Sequence, residues 1–346
     1  MKKSVNQGPI DFVVPWVDGN DLEWQKTKAQ YLSDSEDVDS RNIRYRDYGL
    51  LKYWFRSVEK FAPWVNKVYF VTNGQVPSWL NTDAEKLVWI KHEDYISKEF
   101  LPTFSANPIE IHLDKIEALS DKFVYFNDDF FIIRPLEETH FFRNNLPVLY
   151  PCTSSRMARA KNDHFPHMLL NDVMLINRHF SSRKVIRSNK MNWLSPTRVG
   201  FVTALQNGVA SRLGFFPGFD NPHMPSPFLK DAFKEVWEKE EEVLTNTMKN
   251  RFRSNGDLNQ YVFYDWQLAT NRFVPARRKN LGRYFELQND LPGNAELIET
   301  IRKQTQPAIC INDTAEGMTN EQFECVMKQL ADAFESILPE KSSFEK

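Results

Sequence analysis

Glycine is scarce: 12 occur in 346 residues, about half the usual share of roughly 7 %. No two glycines are separated by a single residue, so no G-x-G-x-x-G dinucleotide fingerprint exists. G-x-x-x-x-G-K-[ST] and G-x-S-x-G are absent too. The common sequence routes to a dinucleotide enzyme, a P-loop NTPase or a serine hydrolase are therefore closed. Cysteine is also sparse. Cys152, Cys310 and Cys325 form no C-x-x-C pair, which argues against a disulfide framework or zinc knuckle and points to the reducing cytoplasm. Excess charge is missing: 44 Lys and Arg against 46 Asp and Glu give −2. Without a chain-wide basic field, no nucleic-acid partner is expected. No apolar run approaches the ~18 residues of a membrane span. The apolar stretch Ile10–Val17 is broken by Asp11 and Pro15, so it reads as a strand and not an export segment.

Aromatics are plentiful, with 27 Phe, 11 Tyr and 9 Trp, enough to fill a large core. The first ~135 residues alternate between strand and helix patterns. Strands are expected at Ile10–Trp16, Lys67–Thr72, Leu87–Lys91 and Phe123–Phe126, with Phe130–Ile133 continuing apolar. Helices are expected at Asp47–Phe61 and at Pro108–Leu119, the latter capped by Asn107. Ser33–Asn42 is polar and acidic and reads as a loop. From Pro151 to Pro225 periodicity weakens, as in a partly helical insertion. Ser226–Asn250, capped by Ser226, reads as a helix, as do Asp257–Phe273 and Thr319–Leu338, with a strand at Ala308–Ile311. The fold class is α/β: a doubly wound sheet with a mixed, partly helical insertion and a helical C-terminal part. Such sheets bind ligands at the carboxyl ends of their strands.

Three acidic or amide clusters fall at those ends. Asn127-Asp128-Asp129 follows a buried strand. Adjacent carboxylates there are costly unless hydrated, paired or metal-bound, and hard oxygen ligands suit Mg²⁺ or Mn²⁺. Asn and Asp also serve as ordinary strand-terminal turn residues. Trp16 beside Asp18-Gly19-Asn20-Asp21 could stack a base and hold a ribose, or pack as a core Trp beside a turn. Asn73-Gly74 and Asn312-Asp313 pose the same choice. His223, between Pro222 and Pro225, is a candidate general base or a surface loop residue. Arg253 could clamp a phosphate or complement a helix dipole. Arg44, Arg46 and Asp47 are alike in this respect. Arg277-Arg278-Lys279 reads as a solvated face. His164 and His167 are spaced for a helical metal site, but Pro166 argues against a helix there. Trp193, Phe215, Phe216 and Phe219 read as exposed aromatics, lining an acceptor groove or docking a partner or membrane.

IDFVVPWVDGNDLEWQ (Ile10–Gln25) and RYRDYGLLKYWFRSVEKFAPWVNKVYFVTNGQVPSWLN through KFVYFNDDFFI (Arg44–Ile132) resemble the first two regions of the Stealth family of sugar-1-phosphate transferases. DNPHMPSPFLKDAF, RFRSNGDLNQYVFYDWQLA and AICINDTAEG resemble its later regions. The resemblance implies a GT-A-like core, a UDP-sugar donor, and Mg²⁺ or Mn²⁺. It implies transfer of hexose-1-phosphate, or N-acetylhexosamine-1-phosphate, to a glycan or lipid-linked oligosaccharide hydroxyl, with release of UMP, in capsule or cell-surface polysaccharide synthesis. By position, His223 would be the general base and Arg253 would stabilise phosphate charge. Asp128 and Asp129 would be the metal-associated pair, with Asp129 also catalytic. Trp16, Asp18, Asn73, Ser105, Glu110, Asn127, Asn312 and Asp313 would contact substrate. Residues 1–150 would form the nucleotide-sugar core, 151–225 would shape the acceptor site, and 226–346 would complete the catalytic core. The expected location is cytoplasmic, reaching the inner face of the bacterial cell membrane by peripheral association; a homodimer is a further expectation. A metal-dependent glycosyltransferase releasing UDP, or a carbohydrate-binding protein, are the competing readings.

Overall fold

A computed structural model describes residues 8–32, 38–41, 45–158, 164–313 and 318–346. Arg44, residues 33–37 and 42 of the polar loop, and Thr314–Gly317 of the last motif lie outside the described residues. In chain order the main elements are β1 (Asp11–Pro15), α1 (Leu22–Tyr31), α2 (Leu51–Phe61), β2 (Val68–Thr72), β3 (Leu87–Lys91), α3 (Ala106–Glu110), β4 (Lys122–Tyr125) and β5 (Phe130–Ile132). They continue with α4 (His164–His179), α5 (Phe201–Leu213), β6 (Ser226–Leu229), α6 (Lys230–Met248), α7 (Tyr261–Ala269), β7 (Arg283–Glu286), α8 (Leu291–Lys303), β8 (Ala308–Asn312) and α9 (Asn320–Ile337). Among the described residues no helix is long and apolar enough to cross a membrane.

The central sheet runs β3-β2-β1-β4-β6. β1 pairs in parallel with both β2 and β4, and β2 with β3. The order therefore reverses beside β1, and the crevice at such a switch point opens between the carboxyl ends of β1 and β4. Both faces are covered, which explains why these strands are apolar at successive positions. Phe12, Val14, Val68 and Phe70 pack into one core with α2 and α9. Val13, Tyr69, Val71, Phe123 and Tyr125 pack into a second with α4, α6 and α7. Just past β4 the chain turns through Asn127-Asp128-Asp129 and enters a second sheet, β7-β8-β5, as β5. The acidic turn thus lies at the joint between two sheets.

Four expectations are corrected. Ser226–Leu229 is a strand and not the start of a helix: it pairs antiparallel with β4 and buries Phe228 completely. An edge position tolerates Pro227, so sheet pairing outweighs the Ser-Pro helix-start signal. Pro108–Leu119 is not one helix. Ser105, not Asn107, caps the short α3, and a single turn, Leu113–Lys115, follows. His164–His167 is helical despite Pro166, which sits near the start of α4, where a missing N–H costs little. Trp193, Phe216 and Phe219 are buried; of that group Phe215 alone is exposed. Residues 164–213 are mostly helical, with Ser182–Ser188, Lys190–Trp193 and Pro196–Val199 preceding α5.

Candidate functional site

Two cavities meet at the switch point. The smaller, ≈160 Å³, is lined by Trp16, Asn73, His92 and Ser105, among others. The larger, ≈540 Å³, is lined by Asp129, His223, Asn312 and Asp313 together with Tyr48, Arg156, Tyr261 and Arg278. Glu110, Asn127, Asp128 and Arg253 line both. Of the twelve residues expected at the site, eleven line this continuous cleft. Asp18 does not. Its side chain accepts from the Asn20 N–H (2.8 Å) and its own N–H donates to Gln75 (2.9 Å), so it shapes the turn behind Trp16. Gly19 in that turn is forced by crowding, because a Cβ there would lie 2.1 Å from the Tyr45 carbonyl oxygen.

The smaller cavity hangs on strand ends. Trp16, just past β1, donates its indole N–H to Asp47 (3.3 Å). Asn73 follows β2 directly. Ser105 caps α3 by accepting from the Asn107 N–H (3.3 Å). α3 in turn presents buried Glu110, whose carboxylate accepts from Tyr125 on β4 (2.8 Å). Burial raises the Glu110 pKa, opposed by Tyr125 and by the positive charge of Arg253. Asp257 fixes the segment bearing Arg253. It accepts from Ser254 N–H (2.9 Å) and from the amides of Asn250 (2.6 Å) and Asn107 (2.9 Å). Burial pushes Asp257 up to about 6.

The larger cavity is built from contacts between remote segments. His223 stands edge-on to Phe130, with ring centroids 4.8 Å apart. Its Nδ1 is 3.1 Å from the Tyr261 hydroxyl, and its Nε2 is 3.9 Å from Asp129. The Tyr261 hydroxyl also donates to the Pro222 carbonyl (3.3 Å). The Pro222 carbonyl can only accept, so when the phenol O–H turns to it, the phenol oxygen accepts from Nδ1–H. Arg46 pairs with Asp313 (3.2 Å), and Asn312 donates to Tyr284 (2.7 Å). Arg278 pairs with Asp220 at the cavity rim while staying solvent-exposed, as expected of that basic run.

Asp128 and Asp129 are short of positive charge. Burial, then repulsion from Asp47, pushes Asp128 up to about 7. Burial, then repulsion from Asp128, pushes Asp129 up to about 8. Asp129 Oδ1 is buried without a hydrogen-bond partner. Its Oδ2 accepts from the Cys310 thiol (3.4 Å), brought there by pairing of β8 with β5. Asp129, His223 and Cys310 place ligand atoms within 4.8 Å of one another. A divalent cation would answer the unpartnered Asp129 oxygen directly. Burial and Asp129 raise the Cys310 pKa well above normal and keep it a thiol, a poor ligand for a hard ion. The donor set that fits Mg²⁺ or Mn²⁺ is therefore the carboxylates, with Cys310 as a hydrogen-bond donor behind them. Cys310, Tyr261, Asp257 and Arg278 had no local sequence signal; only pairing of distant segments reveals them.

Two family models match the chain: Stealth protein CR1, conserved region 1, over residues 8–36, and Stealth protein CR2, conserved region 2, over residues 44–148. The capsular polysaccharide phosphotransferase WcwK of Streptococcus pneumoniae is 41 % identical over 344 residues, covering 99 % of both chains. The receptor polysaccharide phosphotransferase WefC of Streptococcus gordonii is 40 % identical, over 97 % of this chain and 98 % of that one. The exopolysaccharide phosphotransferase cps2G of Lactiplantibacillus plantarum is 36 % identical, over 97 % and 96 %. Among solved structures, an active-site mutant of LgtC aligns over 93 % of this chain and 95 % of that one, at 10 % identity and a TM-score of 0.38.

Proposed function

The chain belongs to the Stealth family of phosphotransferases and is a transferase, and from that premise we propose that it moves a hexose-1-phosphate, or N-acetylhexosamine-1-phosphate, from a UDP-sugar to a glycan hydroxyl in capsule or surface polysaccharide synthesis. The observation that carries this reading is the pair of cavities joined at Asp128 and Arg253, with His223 on the larger side. A donor diphosphate crossing that joint would put its nucleoside in the smaller cavity, against Trp16 and Asn73. Its β-phosphorus would face the larger cavity, where the acceptor enters past the 151–225 insertion.

Asp128 and Asp129 would hold Mg²⁺ or Mn²⁺, which supplies charge neutralisation for the diphosphate when bound. The remaining work falls to side chains. Arg253 would take charge from the equatorial phosphate oxygens, as a planar guanidinium does well. His223 Nε2 would receive the acceptor proton, while Tyr261 holds its tautomer. The acceptor oxygen forms a bond to the β-phosphorus, the bond from that phosphorus to the bridging oxygen breaks, and UMP leaves. The bond at the anomeric carbon stays intact, so the donor's anomeric configuration is kept. Glu110 would brace Arg253 from beneath. Ser105 and Asn127 would contact the donor, and Asn312 and Asp313 the far wall.

³¹P NMR of a reaction with a panel of UDP-sugars, acceptor glycan and Mg²⁺ tests this. UMP and a new phosphodiester resonance are expected. UDP as the sole nucleotide product would replace the reading with glycosyl transfer, and no nucleotide release would leave a glycan-binding protein.

A further inference from the structure

The helix α5 is inside out. Phe201, Val202, Leu205, Val209 and Leu213 are 68, 68, 57, 57 and 46 % exposed. Phe201, Leu205, Val209 and Leu213 recur every four residues and form one outer ridge. The inner face instead carries polar Thr203, Asn207 and Ser211, all buried. That orientation is locked. The Asn207 amide donates to the carbonyls of Pro151 (2.7 Å) and Trp193 (2.8 Å). Its oxygen accepts from Thr153 N–H (2.9 Å) and hydroxyl (3.0 Å). Thr203 shares a hydrogen bond with Tyr150 (2.9 Å). A helix of a globular protein normally turns its apolar stripe inward. Here the chain spends its inward hydrogen bonds on holding the apolar stripe out.

Charge around this ridge is one-sided. From Val173 to Phe219 the sequence has seven Lys and Arg and no Asp or Glu, in a chain whose total charge is only −2. Arg178 pairs with Glu240. The other six, Arg183, Lys184, Arg187, Lys190, Arg198 and Arg212, have no carboxylate ion pair among the described residues. Arg183 reaches the carbonyl of Arg212 at the end of α5 (2.6 Å). At the other end, a cavity of ≈230 Å³ is lined by His140, Arg143, Arg198 and Arg277 and by no carboxylate. It could seat a phosphate. A second copy of this chain placed face to face would set these cations against each other, whereas an anionic surface meets both the apolar ridge and the basic rim.

We propose that the outer face of α5 and its basic rim dock this protein on an anionic lipid bilayer surface. The ridge enters the headgroup boundary, the rim cations meet lipid phosphates, and the helix lies in the plane of the interface.

Vesicle co-sedimentation of the full chain, without substrate, tests this independently of the transfer reaction. Vesicles of phosphatidylcholine alone are compared with phosphatidylcholine and phosphatidylglycerol at about three to one. The protein should bind the anionic vesicles, spare the neutral ones, and be released by high salt. Leu205→Ser with Val209→Ser, both at exposed positions, should keep the wild-type melting temperature and weaken binding about tenfold or more. Arg183→Gln with Arg212→Gln should weaken it about fivefold for each charge removed. No binding to anionic vesicles, or binding unchanged in the Leu205 and Val209 variant, would overturn the proposal. So would light scattering that shows a dimer broken by that same variant, which would assign the ridge to a second copy.

Discussion

The two ends of the cleft are built by different means. The smaller cavity takes its key side chains from the first residues beyond parallel strands and from one short helix capped by Ser105. Their backbone positions follow from ladders on both sides of β1. The larger cavity takes its side chains from loops around Asp220, His223, Arg253, Arg278 and Asp313, aligned through pairs such as Tyr261 with His223 and Arg46 with Asp313. The difference teaches a division of labour. The strand-end wall is held by backbone ladders, whereas the wall of cross-linked polar loops carries titratable groups; under the proposed function the first would hold the donor and the second would serve the transfer. Substitutions at the two ends should therefore move different kinetic constants.

The largest effects belong at the larger end. His223→Ala and Asp129→Asn should each lower kcat by about 10²–10⁴, with unchanged circular dichroism; full activity in either would remove that residue from the machinery. Arg253→Lys, at the joint, should cost about 10²-fold in kcat, because an ammonium cannot reproduce the guanidinium fork. A change confined to donor KM would move Arg253 to the binding side of the comparison. Trp16→Ala, at the smaller end, should raise donor KM about tenfold with kcat nearly constant. An equal fall in kcat would show that the two ends do not divide the work.

The smallest effect concerns stability and the wall of the smaller cavity. Burial holds His92 down to about 4, against about 6.5 in an unfolded chain. Above pH 6.5 the imidazole is neutral in both states and has no influence. Below it the unfolded chain gains a proton that the folded one refuses, so stability falls as pH drops toward 4. At pH 5 the loss is about 2 kcal/mol. Urea midpoints at pH 7.5 and pH 5 should therefore fall further in wild type than in His92→Asn. Parallel shifts would show that the wall admits water around His92.

The cleft was partly legible because its smaller end is local. Asn127-Asp128-Asp129 follows an apolar strand in sequence as it does in space, so a strand-end reading found it. Trp16, Asn73 and Asn312 follow the same logic. Asp18 failed because a carboxylate in a turn can point at its own backbone, as the Asn20 contact shows. Ser226–Leu229 failed for the opposite reason: its local signals specify a helix start, and pairing with β4 overrules them. Cys310 and Tyr261 lie far from Asp129 and His223 in sequence and reach them only through strand pairing and helix packing.

By itself, the sequence determined an α/β sheet with acidic strand ends, a site free of glycine-cradled phosphate loops, and the family. Periodic apolar runs and turn residues act over a few positions, so they can be read in order. Tertiary structure alone decided that two cavities share Asp128 and Arg253, that His223 presents Nε2 toward Asp129, and that α5 turns its apolar ridge outward. Those outcomes depend on which distant hydrogen-bonding groups meet. Asn207 shows the principle: its four bonds to Pro151, Thr153 and Trp193 fix a helix face that its own sequence pattern leaves free.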